Sequence, residues 1–419
     1  MFVATEEHKA PKRYPRLRNL HYSPLKQRDE QYVLLWDPTG LSQDKLIVPL
    51  SYFYLFQFFD GEHSLEQIGG EYLRKFGEFL MADKLEQFVA ELEAKLFLEG
   101  ERTEAARRAA VTAYREAPVR QSVFSGKSYE EDGEKLRLQL ESFFASREGP
   151  GSKPSENRGK VLKGIVAPHY EVRAGGPIYA WAYKELREAE TPDCFVVLGT
   201  CHAGLANHFA VTEKAFETPL GVVPVDADVL ERVRAKTGGV FFEEELSHRH
   251  EHSIEFQLPF LQYCLGGRKP FTIVPVLCAF PPHGVTDAGF SAMKDRVELF
   301  IGALREAIAE SSRPVCFVGS ADLAHIGMRY GDSTPPTDFS FHRCMQNDLA
   351  MLKHVETLDA KGFAEFIRKE EDSRRICGFS PIYTMLRLLQ AEHGQVLRYD
   401  RGITDQFNST VTYASMAFF

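Results

Sequence analysis

Residues 194–202 read CFVVLGTCH, an apolar run that ends in Gly-Thr and then delivers Cys201 and His202. Cys194–Leu198 has no polar residue to turn toward water, so it reads as a strand buried on both faces. The same pattern recurs on either side. Val161–Ala167 runs into Pro168-His169. Val315–Val318 runs through Gly319-Ser320-Ala321 into Asp322, with His325 expected one helical turn further on. Phe271–Val276 is a further strand. Helical patterns lie between them at Pro177–Arg187, Asp226–Ala235, Ile254–Cys264 and Val297–Ala309, and beyond them near 336–353, 359–369 and 380–391. Strand-like Val396–Tyr399 and Ser409–Ala417 close the chain. Apolar strands alternating with helices predict an α/β fold, with a mixed, mostly parallel sheet covered by helices on both faces.

Ligands of such sheets sit just past the carboxyl ends of the strands. Three strands here each deliver a His, or an Asp and a His, at that end. A single imidazole after a strand is usually a satisfied polar group, but three together favour a site. Cys377, in RRICGFSPIYTML, stands just before a predicted helix, whose N-terminus favours the thiolate that binds metal. Two imidazoles and one anionic ligand follow the logic of the non-haem iron triad, with a thiolate in place of the carboxylate. The softer donor also suits copper.

APHYEVRAGG, LGTCHAG, EHSIEFQLPFL, SADLAHIGMRYG and ICGFSPI resemble the successive motifs of the Memo family, which includes the bacterial AmmeMemoRadiSam system protein B. RQSVFSGKSYEEDGEKLRLQLESFF resembles that family's N-terminal segment, so the resemblance runs from residue 117 to the C-terminus. The family is structurally similar to the LigB-type extradiol dioxygenases. The resemblance implies iron or copper on His169, His202 and Cys377, with Asp322 and His325 beside them. On this reading His325 is the general acid/base, oriented or charge-balanced by Asp322. Three departures alter the pocket: Tyr170-Glu171-Val172 replaces the usual Ala-Gly-Tyr, Ala203 replaces a second His, and Cys201 stands where Ser is common.

Residues 1–105 read as a smaller α+β, winged-helix-like domain. Strands Tyr32–Trp36 and Lys45–Pro49 flank the turn Asp37-Pro38-Thr39-Gly40. Ser64 with Gln67, and Asp83 with Glu86, have the spacing of capping boxes for two amphipathic helices. The order of elements resembles the PqqD-like peptide-binding fold, and a structural cap on the larger domain is the competing reading. A helical connector follows over 106–116, and the larger domain spans 117–419. Ser146–Lys160, polar and rich in Gly, Pro and Ser, is expected to be a mobile loop.

A net charge of -9 offers no field for nucleic acid. The N-terminus lacks the form of an export signal, no run is long enough to span a bilayer, and seven cysteines without a CxxC pair argue against a disulfide framework. A cytoplasmic location is expected. SHRHEHSIE places His248, His250 and His252 at alternating positions, on one face if extended, but a solvated loop is the commoner outcome. Glu251 and His252 fall on the family motif, where lining the pocket and a structural role are the two readings. Arg173 suits an anion or an ion pair, and Cys201 is a candidate redox thiol. Two functions stay open: an iron- or copper-dependent, dioxygenase-like redox enzyme acting on a small molecule or peptide, and a non-catalytic metal- or peptide-binding accessory protein, partner of a radical-SAM enzyme.

Overall fold

The computed structural model of the chain describes residues 13–27, 30–190, 192–266 and 269–419, which fall into two units, Met1–Arg115 and Glu116–Phe419. In the first, β1 (His21–Gln27), β2 (Glu30–Trp36) and β3 (Lys45–Pro49) pair antiparallel in chain order. The Asp37 carboxylate fixes the β2–β3 turn by accepting from Thr39 N and Ser42 N and by pairing with buried Arg18 at 3.0 Å. Ser64 and Gln67 form the expected capping box of helix Leu65–Phe76, which buries Ile68 and Tyr72. Helix Ala82–Ala94 starts from Met81 with no side-chain cap, so the box read at Asp83 is absent. Its inward face is nevertheless Leu85, Phe88, Val89 and Leu92. Helix Glu101–Glu116 follows.

In the second unit β4 (Val119–Arg120), β8 (Ala215–Thr218) and β9 (Gly221–Val223) form a small sheet. The main sheet has eight strands: β5 (Gly164–Ala167), β6 (Cys194–Thr200), β7 (Phe209–Val211), β10 (Thr272–Cys278), β11 (Val315–Ser320), β12 (Asp322–Ile326), β13 (Gly394–Ile403) and β14 (Thr410–Phe418). Their order is β12-β14-β5-β11-β6-β10-β7, with β13 also on β14. Parallel pairing is confined to β5-β11-β6-β10, while both flanks are antiparallel. The sheet is therefore mixed, and parallel only at its centre. The reason is the C-terminal hairpin β13–β14, which enters antiparallel beside β5.

The central strands are buried on both faces, as their unbroken apolar runs require. Cys194, Val196 and Leu198 enter one core, Phe195 and Val197 the other. Helices Ala227–Thr237, Ser291–Ser311 and Phe379–Leu388 fill the first core. Helices Gly133–Ala145, Val172–Glu188 and Gln257–Leu265 fill the second. The helix read from Pro177 begins at Val172 and carries that proline inside it. Ser146–Lys160 contains no helix or strand and runs along Val172–Glu188. Lys184 Nζ donates to Pro150 O and Gly151 O, and Ser155 Oγ to Glu185. Among the described residues no helix is long and apolar enough to cross a membrane.

Candidate metal centre

The strand register places the site. Ser320 of β11 lies opposite Ala167 of β5 and Gly199 of β6, so three parallel strands end at one level. The residues that follow, His169, His202 and Asp322, therefore emerge together. Two glycines let other segments close over this end. A Cβ on Gly199 would lie 2.5 Å from Ser253 Oγ, so its absence admits the short helix His252–Glu255 against β6. A Cβ on Gly378 would lie 2.4 Å from Asp322 O, so its absence admits the turn that carries Cys377. That turn is bent by left-handed Glu371, Asp372 and Arg375 (φ 53, 47 and 53°). It is held by a buried Arg374–Asp348 pair and by Arg375 to Asp332 at 2.6 Å.

Three imidazoles meet there. One ring nitrogen from each of His169, His202 and His252 lies within 4.8 Å of the other two. The Nδ1 atom of each ring has a partner. His169 Nδ1 faces Ser320 O at 3.1 Å and must donate to that carbonyl, which leaves Nε2 with its lone pair. His202 Nδ1 and His252 Nδ1 each stand 3.1 Å from the Glu251 carboxylate. Glu251 also accepts from His202 N (2.8 Å), His252 N (2.8 Å) and Ser253 N (3.0 Å). A carboxylate that fixes the tautomers of two imidazoles is the support that metal-ligating histidines require. The donor set therefore fits a transition metal ion.

Charge follows geometry. Burial first, then the neighbouring His202 and His252, holds His169 well below its usual pKa. Burial likewise lowers His252 to about 4. Burial works to lower His202 as well, but the Glu251 carboxylate outweighs it and leaves this ring raised. Burial would raise Glu251, yet His202 and His252 hold it well below the usual range. Asp322 is pushed up to about 7 by burial, against hydrogen bonds from His169 N and Tyr170 N.

Cys377 Sγ lies 3.2 Å from His169 Nε2, directly before helix Phe379–Leu388. Burial, reinforced by Asp322, pushes its thiol well above the usual value, so the metal-free protein holds the neutral thiol and not the expected thiolate. Asp322 Oδ2 is 3.7 Å from His169 Nε2. His325 is not one helical turn beyond Asp322. Both lie on β12, held extended by β14, with a register irregularity between them. His325 Nδ1 faces Leu323 O and Arg375 O, each at 3.1 Å, so backbone carbonyls orient the ring. Burial first, then His202, lowers it to about 4.

Of the SHRHEHSIE histidines, only His252 joins the cluster among the described residues. Glu245–His248 is a 3-10 turn and His252 opens a helix, so the segment is not the extended run that alternation suggested. His248 is buried with Nε2 on Ala210 O at 3.0 Å. Arg173 pairs with Glu130 at 2.7 Å. Burial raises the Cys201 thiol, which makes it a core group. Cys194 and Cys316 are fully buried.

Comparison with known proteins gives the family. The chain is 31% identical over 306 residues to a MEMO1 family protein of Methanopyrus kandleri, covering 71% of this chain and 98% of that one. It is 28% identical to one of Methanothermobacter thermautotrophicus, covering 71% and 100%. A MEMO1 family protein of Aquifex aeolicus is 26% identical over 391 residues, covering 91% and 95%, and so reaches into the first unit. A family profile described as Memo-like protein matches residues 120–417, the span that contains every residue of the cluster, and the chain belongs to that family.

Proposed function

We propose that this protein is an iron- or copper-dependent redox enzyme of LigB-like, dioxygenase-like type, with the ion held by His169, His202 and Cys377 and joined by His252. The observation that carries this reading is the convergence of three imidazoles, each with its Nδ1 held by a carbonyl or carboxylate. Iron or copper supplies electron transfer and oxygen chemistry when bound. The residues of the chain supply placement and protons. His325 donates Nδ1–H to a carbonyl and keeps Nε2 as a proton acceptor, neutral at neutral pH. Asp322, pushed up to about 7 by burial, exchanges a proton in the same pH range. Base and acid would thus come from the same strand, β12. A cavity of about 400 Å³ beside Cys377, lined by Leu205, Phe280, Met293, Ile376 and Phe379, gives room for a small, mostly apolar substrate. We place the reaction in the cytoplasm.

The test begins with anaerobic purification, which should yield up to about one iron or copper per chain. His325→Gln should keep that metal and lose substrate-dependent oxygen consumption by roughly a hundredfold or more. Loss of metal in this variant would make His325 a ligand and remove its proposed role.

A second reading draws on the first unit. The archaeal relatives are matched over nearly their whole length without needing it, whereas the Aquifex relative extends into it. Such an addition suits a PqqD-like, winged-helix-like peptide-binding module on an accessory protein that works with a radical-SAM enzyme, as in the AmmeMemoRadiSam naming. A fragment of residues 1–105 that unfolds cooperatively supports this reading. An insoluble fragment counts against it.

A further inference from the structure

We infer that Arg120 and Glu255 are a positioning pair for the metal centre, setting Glu251 and His252 and, through them, His202. The inference rests on the metal-binding reading above. Arg120, on β4, is buried at 1% exposure. Its Nε donates to His248 O at 3.0 Å, Nη2 to Glu251 O at 2.8 Å and Nη1 to Gln121 O at 2.9 Å, and Nη1 also pairs with Glu255. One rigid guanidinium therefore fixes two carbonyls of the loop that ends in Glu251 and His252. Glu255, fully buried, closes the other side. Its carboxylate accepts from Val123 N at 3.2 Å, Phe124 N at 2.9 Å and Tyr129 Oη. Segment 120–129 is thereby pinned to helix His252–Glu255. Phe124 of the same segment stands edge-on to the His252 ring, with centroids 5.7 Å apart. No bond of Arg120 reaches an imidazole. It acts through the backbone at 248–251, and the Glu251 carboxylate passes that placement to both rings.

The pair does more than stabilise the fold. A buried ion pair contributes little net stability, because desolvation offsets attraction, and apolar residues can fill the same space. What apolar residues cannot do is donate to His248 O and Glu251 O. Without those donors the buried carbonyls must rotate toward other partners, and the Glu251 carboxylate turns with them. Loss of such outer partners typically weakens metal binding about 10–100-fold.

A single substitution leaves an uncompensated buried charge and can unfold the protein. The deciding variant is therefore the double change Arg120→Met with Glu255→Gln, compared with Ile301→Ala, a fully buried core position on helix Ser291–Ser311. Two measurements use the full chain. One is titration with Co(II), read by affinity and visible spectrum. The other is imidazole 15N resonances of the metal-free protein, at a pH where His202 is neutral. The double variant should bind Co(II) about 10–100-fold more weakly, with an altered spectrum, and His202 should lose its single Nδ1–H tautomer. Ile301→Ala should lower thermal stability and leave all three readings as in the parent. A folded double variant with unchanged affinity, spectrum and tautomer overturns the inference. If the double variant does not fold, Arg120→Lys, which keeps the charge and loses the fork, is judged by the same readings. If the parent protein takes up no Co(II), the metal reading fails, and the His202 tautomer still decides the positioning role: its loss in the variant supports the inference and its retention overturns it.

Discussion

The groups at this centre arrive by two routes. His169, His202 and Asp322 leave the ends of β5, β6 and β11, whose relative level is set by a continuous parallel ladder. Glu251, His252 and Cys377 arrive on turns that no ladder holds. Those turns depend on a few braces to distant segments: Arg120 holds one, and Arg374 and Arg375 tie the other to Asp348 and Asp332. A ligand on a strand end shares the rigidity of the whole sheet, while a ligand on a turn is only as well placed as its brace. The two sets should therefore fail differently.

The largest effect is expected on the strand side. His169→Ala removes the imidazole that touches both the other rings and Cys377, so iron or copper should fall to background in metal analysis, with the thermal transition retained. Full occupancy in that variant would dissolve the comparison. Glu251→Gln, on the turn side, should weaken binding by about 10–100-fold without abolishing it. It also has a pH signature. Binding needs neutral imidazoles, and His202, the one ring of the three in which the pull of Glu251 outweighs burial, takes up a proton first as pH falls. Parent affinity should therefore drop by about tenfold per pH unit below that point. In Glu251→Gln the onset should move to lower pH, because the carboxylate that raised His202 is gone. An unmoved onset would mean that Glu251 does not govern this ring.

Gly378→Ala tests the brace itself. The new Cβ would meet Asp322 O at 2.4 Å and Ala321 Cβ at 2.6 Å, both on or beside strand ends that cannot give way. The Cys377 turn must move instead, at a cost of about 1–3 kcal/mol. Calorimetry should report that loss, and Co(II) bound to the variant should lose thiolate-to-metal absorption while keeping its imidazole ligands. A stable variant with unchanged absorption would show that the turn is not held by this approach.

The same two routes explain what could be read in advance. The strand ends are legible because an apolar run that stops at a polar residue marks both the strand and its exit: Cys194–Leu198 and Val315–Val318 lie within β6 and β11, and Phe271–Val276 starts one residue before β10. His252 is hard to single out in the sequence because His248, His250 and His252 alternate as an extended segment would, whereas the fold makes a 3-10 turn and then a helix. Nothing local announces that change, since Arg120 enforces it from more than a hundred residues away. Asp322-Leu-Ala-His325 has helical spacing, but β14 holds it extended. Thr412 Oγ1 accepts Ala324 N at 2.9 Å, and His325 pairs with Val411. Cys377 stands just before helix Phe379–Leu388, as its sequence context indicates, while burial, which sequence does not show, raises its thiol.

The smallest effect expected concerns the loop's own histidine. His248 lies in the turn whose carbonyl Arg120 holds, and burial pushes its pKa down to about 3. Nε2 donates to Ala210 O, and Nδ1 is buried with no partner. Because the folded pKa lies below that of the unfolded chain, near 6.5, the neutral ring's contribution is fully present above that pH. It is lost as pH falls from about 6.5 toward 3, because the unfolded chain binds a proton that the folded chain refuses. By pH 5 the loss attributable to this one ring is about 2 kcal/mol. His248→Gln keeps an N–H for Ala210 O and cannot titrate. It should be about 1 kcal/mol less stable than the parent at pH 7.5, through imperfect packing. It should then equal or overtake the parent near pH 5 in urea unfolding of the metal-free protein. Parallel pH profiles for the two proteins would mean that His248 stays accessible to protons in the fold, and that the 248–251 turn is looser than its bonds to Arg120 imply.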